Sequence, residues 1–123
     1  MLKVYARKLG TVAVLCLQGQ IVTGETETLR KAVQSLSEVS AVIFDFARVT
    51  TIDAGGLGVM LELRELTGSK GIRFALMNVT KQVSWVLKIT RLDSVFQITS
   101  GVEFFPAVPR SLRTSAGAFA SCA

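Results

Sequence analysis

Leu2, Val4 and Ala6 alternate with Lys3, Tyr5 and Arg7, the period-two pattern of an edge strand with one face in water. Lys8-Leu9-Gly10 can turn the chain tightly into Thr11–Leu17, which is nearly all apolar and predicts a strand buried on both faces. Periodicity then changes: Leu29, Ala32, Val33 and Leu36 fall at i, i+3, i+4 and i+7 within Thr23–Leu36, an amphipathic helix. Glu25 and Glu27 sit at its start, where carboxylates complement the helix dipole, and Glu27 is spaced to pair with Lys31. Ala41–Phe46 and Ile72–Met77 are short apolar runs with β-branched and aromatic residues, as expected of central strands. Between them Asp53 is a natural N-cap for a helix through Leu57–Leu66, and Gly68 and Gly71 mark its exit. Val79–Ile89 predicts a third helix, with Val79, Val83, Val86 and Leu87 on one face and Trp85 nearly opposite. Val95–Ile98 is too short for its pattern to separate strand from helix end.

Two strands followed by helix and strand in alternation predict an α/β fold, a mixed β-sheet with helices packed against it. The link from Ala41–Phe46 to Ile72–Met77 through one helix predicts a right-handed parallel crossover. Residues 1–105 form the expected domain. From Pro106 the chain turns rich in Pro, Ser and Ala, so 106–123 are read as a flexible tail.

Half of the 123 residues are apolar, enough for one core and too few for two domains. No apolar run reaches the roughly 20 residues of a spanning helix, so no membrane insertion is expected. Lys3, Arg7 and Lys8 before Val12–Leu17 imitate a secretion signal, but the run is short and Gln18-Gly19-Gln20 is no cleavage site. Cys16 falls in a strand and Cys122 in the tail, which suggests neither a disulfide framework nor a metal-ligand set. That usage fits a cytoplasmic protein. The net charge is +5, yet the basic residues are scattered without an RNA-binding or zinc-finger signature. A solvated basic surface is expected, not a nucleic-acid groove.

The chain has no histidine, which excludes Ser-His-Asp and Cys-His catalysis and histidine metal sites. Asp45, Asp53 and Asp93 are placed at strand ends and caps, as structural acceptors. No catalytic residue, metal or cofactor is expected. Asp53-Ala54-Gly55-Gly56-Leu57-Gly58 raises the question of an anion site at a helix N-terminus. It has no Walker lysine and is not a GxGxxG fingerprint. A close-packed strand-to-helix turn explains the glycines equally well.

Val49 through Val59 resembles the signature loop of the STAS domain, the fold of anti-sigma factor antagonists, whose usual form is Ile-Asp-Ser-Ser-Gly-Leu-Gly. The resemblance runs over about residues 2–104, through Ala41–Phe46, Arg73–Val79 and Val83–Phe96. It implies partner switching: the antagonist captures an anti-sigma factor with a kinase-type ATP-binding fold, which then phosphorylates a loop serine and breaks the complex. A phosphate adds roughly −1.5 to −2 charge at a packed contact. The phosphoacceptor position matches Gly55 and the preceding serine Ala54, so the family's acceptor is lost here. Val22 stands where an acid is common and Arg91 where glycine is frequent.

The resemblance also places Thr23, Gly24, Asp53, Ala54, Gly55, Gly56 and Gly58 on one end of the domain as a partner-binding platform. Trp85, sharing a helical turn with Lys88, is a second candidate contact, tryptophan being enriched at interface hot spots. The expected function is therefore a non-enzymatic regulatory binding module. Its alternatives are an accessory subunit docking on an ABC transporter ATPase and a nucleotide-binding domain.

Overall fold

The computed structural model describes residues 1–99; the expected domain end at 105 and the tail 106–123 lie outside the described residues. Among the described residues, five strands and three helices follow one another as β1 (Lys3–Leu9), β2 (Val12–Ile21), α1 (Glu27–Gln34), β3 (Ala41–Ile52), α2 (Ala54–Ser69), β4 (Arg73–Met77), α3 (Lys81–Ile89) and β5 (Gln97–Thr99). They form one mixed sheet in the order β1-β2-β3-β4-β5. The β1–β2 hairpin is antiparallel, and β2, β3, β4 and β5 are parallel neighbours.

Sequential parallel strands joined by crossovers of one hand must place every connecting helix on the same face of the sheet. The core has that arrangement. Leu29 and Val33 of α1, Leu57, Met60 and Leu63 of α2, and Val83 and Leu87 of α3 share one cluster with Leu15, Phe44 and Leu76 from the sheet. A second cluster, Val12, Val14, Cys16, Ala41, Ile43 and Met77, lies on the opposite face. Hence β2 is buried from Val12 through Leu17, as its unbroken apolar run requires. Phe44 and Phe74 pack with ring centroids 4.7 Å apart at the centre of the helix-side core.

Several expectations are corrected. β2 and β3 run on through the polar Gln18-Gly19-Gln20 and Arg48-Val49-Thr50-Thr51, because each satisfies the other's backbone as far as Ile21 against Ile52. Helix α1 begins at Glu27, four residues after Thr23. Glu27 meets Arg30 (3.4 Å) in place of Lys31, and Arg30 also binds Glu62 on α2 (2.8 Å). Val95–Ile98 is resolved in favour of a strand, β5 beginning at Gln97. Cys16, buried in β2, is disulfide-bonded, a pairing that the cysteine spacing did not suggest. No helix among the described residues is long and apolar enough to cross a membrane.

Arg91 adopts φ 61° just beyond α3, a left-handed conformation that suits glycine. Arg91→Gly should therefore stabilise the domain by about 0.5–1 kcal/mol, the relieved strain exceeding the entropic cost of glycine. Chemical denaturation reads this out, and an unchanged or lower midpoint would contradict it.

Candidate partner-binding site

The end of β3 enters α2 through Asp53, whose extended backbone (φ −109°, ψ −176°) breaks the strand and opens the helix. The Gly56 amide donates to Asp53 Oδ1 (2.8 Å), one of the first-turn N–H groups that otherwise have no partner. The expected cap is present. The Thr23 amide also donates to both Asp53 carboxylate oxygens, at 3.2 and 3.1 Å. One side chain thus caps α2 and ties the β2–α1 loop to it. These hydrogen bonds, that from Gly56 first and those from Thr23 next, hold the Asp53 carboxyl below the usual carboxylate range.

The parallel register explains the juxtaposition. Ile21 lies opposite Ile52, the last pair of β2 and β3, so the residues that follow each strand emerge side by side. Asp53 N continues the ladder to the Ile21 carbonyl (3.3 Å). Gly24, at φ +93°, then turns the exposed loop toward α1.

The glycines of the loop have different reasons. A Cβ on Gly56 would collide with the carbonyl oxygen of Ile21, and its carbon would be 2.8 Å away. A Cβ on Gly55 would fall on the hydroxyl of Thr23, with Thr23 Cβ 3.0 Å away. Gly58 meets nothing within 4 Å and is exposed. Close packing therefore accounts for Gly55 and Gly56 and leaves Gly58 free to carry a side chain.

The structure brings Thr23, Asp53, Gly55 and Gly56 into direct proximity, with Gly24, Ala54 and Gly58 beside them in the same loop and helix turn. Thr23, Gly24, Ala54 and Gly58 are exposed, Gly55 is half-buried and Gly56 is buried, so small residues line the surface at this end. Trp85 is not joined to it by any described hydrogen bond or shared groove. It stands on α3 at 66% exposure, opposite the buried Val83 and Leu87, and borders a shallow groove with Val79, Lys81, Ser84 and Lys88. Ile21 was not among the expected site residues, although its carbonyl excludes a side chain at position 56. No local pattern marks that contact, since it joins segments that are distant in the chain.

Of the other acids, Asp45 is buried and accepts from the Ala47 amide (2.9 Å) and Asn78 Nδ2 (3.2 Å), the structural role expected of it. The hydroxyl of Thr50 donates to the Gly19 carbonyl (3.2 Å) across the β2–β3 edge.

This architecture is shared with solved structures. A putative anti-sigma factor antagonist from Thermotoga maritima is 23% identical over 87% of this chain and 95% of its own, with a TM-score of 0.73. An anti-sigma factor antagonist from Mycobacterium paratuberculosis is 16% identical over 94% and 93%, with a TM-score of 0.71. A sulfate transporter family protein from Wolinella succinogenes is 19% identical over 73% and 77%, with a TM-score of 0.66. At these identities the likeness establishes the fold. The STAS domain sequence profile matches residues 3–108, most of the chain, and the chain therefore belongs to the STAS domain family.

Proposed function

We propose that this protein is a regulatory binding module of the anti-sigma factor antagonist type, whose platform of Thr23, Gly24, Asp53, Ala54, Gly55, Gly56 and Gly58 engages an anti-sigma factor with a kinase-type ATP-binding fold. The observation that carries the reading is the Asp53 carboxylate holding Thr23 and Gly56 together. It fixes a small, open surface at one end of the domain, as a recurrent protein contact requires. Trp85 offers a separate contact on α3.

A nucleotide-binding role fits the same geometry poorly. Asp53 already accepts the Gly56 amide that would cradle a phosphate, and its negative charge opposes an incoming anion. Nor does the site's arrangement suggest an enzyme: the loop carboxylate is committed to backbone donors. In this reading Gly55 replaces the phosphoacceptor of the family loop, so residues 50–58 take up no phosphate.

Gly58→Glu tests the interface. The position is exposed and open, and a carboxylate in the early turns of a helix complements its dipole, so stability should be kept. Partner affinity should fall about tenfold or more, because a charge is buried without a counterion. The measurement is affinity purification of both proteins with mass spectrometry of what binds. A kinase-type ATP-binding protein retained by the native chain and lost from the variant supports the reading. An ABC ATPase would assign the accessory-subunit role instead, and an unchanged partner would place the interface elsewhere.

A further inference from the structure

All three helices pack on one face of the sheet, yet the cluster on the other face is buried as well. Val12, Val14, Cys16, Ala41, Ile43 and Met77 are each no more than 7% exposed. The buried apolar side chains of α1, α2 and α3 all belong to the opposite cluster, so no helix among the described residues shields this one. The sheet alone does not bury it either. Tyr5 and Leu9 of β1 pair with Cys16 and Val12 and so share the helix-free face, where they are 49% and 40% exposed. A cover must lie over β2, β3 and β4 without reaching β1.

The cysteines identify it. Cys16, in the middle of this strip, is disulfide-bonded, and the sequence has one other cysteine, Cys122. Cys16, Asp45, Met77 and Thr99 are register partners across β2, β3, β4 and β5. Thr99, where the described residues end, therefore stands in the same row as Cys16, three strand spacings or about 15 Å away. Residues 100–122 reach that far even as a helix, at about 1.5 Å per residue. They also carry the apolar side chains for the task, Val102, Phe104, Phe105, Val108, Leu112 and Phe119. Arg7, Asp45, Arg73, Gln97 and Thr99, which the register puts on the same face, are each engaged in a contact. We propose that residues 100–123 cover the helix-free face of the sheet and that a disulfide between Cys16 and Cys122 fastens them there.

The tie makes exposure of this face depend on a dithiol reductant. One thiolate of the reductant attacks a sulfur of the disulfide, and the S–S bond breaks to leave a mixed disulfide and a cysteine thiolate. The reductant's second thiolate then displaces the other cysteine. Two electrons pass to the protein, the two cysteines take up the two protons of the dithiol, and the reductant leaves as its own disulfide. A tethered segment is held over the strip at high effective concentration, and cutting the tether removes that advantage. The segment then leaves the strip, which becomes an open apolar surface. This inference is independent of what binds the Asp53 end.

The experiment has two parts, both on the full chain. The protein is purified without reductant, free thiols are blocked with iodoacetamide, and trypsin is added under non-reducing conditions. Cleavage after Lys8, Arg30 and Arg113 puts Cys16 in peptide 9–30 and Cys122 in peptide 114–123. The expected result is these two peptides linked in a protein that runs as a monomer on a non-reducing gel, and separated by dithiothreitol. Both cysteines recovered alkylated, or a link between two copies of the chain, would overturn the inference. The cover is read with anilinonaphthalene sulfonate, a dye for exposed apolar surface. Dithiothreitol on the native chain, and Cys122→Ser or Cys16→Ala without it, should each raise its fluorescence about threefold or more. Dithiothreitol should add nothing to either variant, and cooperative urea unfolding of all of them shows that the helix-side core is kept. Linked peptides with dye binding unchanged by reduction and by both substitutions would overturn the proposal, since the disulfide would then fasten no cover.

Discussion

Gly56→Ala, a change of one methyl group, should lower the stability of this domain by about 1–3 kcal/mol, the usual range for overpacking a well-filled interior. The added Cβ would be driven into the Ile21 carbonyl oxygen, with its carbon 2.8 Å away and Ile21 Cγ2 at 3.0 Å. A side-chain neighbour can rotate aside, but a carbonyl in a paired strand cannot. Ile21 ends β2 opposite Ile52, and its oxygen accepts from the Asp53 amide. Relief therefore requires α2 to retreat from the sheet, withdrawing buried Leu57 and Met60 from the core. Helix propensity alone favours alanine over glycine by roughly 1 kcal/mol, so the sign of the effect separates collision from propensity. Urea denaturation of Gly56→Ala beside Gly58→Ala makes the comparison: the first should lose stability and the second, at an open position, should gain it. A gain at both positions would mean that α2 does not approach Ile21 as described.

Asp53→Ala is the other large effect expected. It removes the acceptor for Gly56 and for Thr23 together, leaving an uncapped helix and an untethered loop. A cap loss together with a charge-assisted contact should depress the thermal midpoint by roughly 4–8 °C or more. The pH dependence gives a second signature. Because hydrogen bonds from Gly56 and Thr23 lower the carboxyl's pKa in the folded protein, the unfolded chain takes up its proton first on acidification. The stabilisation is thus complete above the ordinary carboxylate pKa and is lost as pH falls through the lower, folded value. The gap between native protein and Asp53→Ala should stay constant at neutral pH and narrow in strong acid. Thermal melts at several pH values measure it, and a gap that widens on acidification would contradict the assignment.

Both effects pass through contacts of different visibility in the sequence. The cap of Gly56 by Asp53 spans three residues and was legible, since Asp followed by a helical apolar pattern is a local signal. The tie to Thr23 spans thirty residues. The resemblance to a family loop grouped Thr23 with Asp53, but not the hydrogen bonds that join them. The collision that bars a side chain at position 56 is likewise a consequence of where β2 passes.

The elements themselves were readable wherever the apolar period was long enough. Alternation in β1, the apolar run of β2 and the i, i+3, i+4 pattern of α1 each reflect a local geometry, because the face that must be buried repeats with the backbone's own period. Element ends were less legible. Gln18–Ile21 and Arg48–Ile52 carry polar residues, yet they are strand because each supplies the other's hydrogen bonds. Three-residue β5 gains its identity only by pairing with β4.

What the sequence by itself determined, then, is the alternation of strand and helix, the Asp53 cap and the absence of a hydroxyl at position 55, all properties of neighbouring residues. Tertiary structure decided that Thr23 lies over position 55, that Gly56 abuts Ile21 and that Arg30 reaches Glu62 on another helix. Each of these joins segments about thirty residues apart, and their meeting depends on the parallel β2–β3 register, which places Ile21 opposite Ile52 and brings the two following loops together.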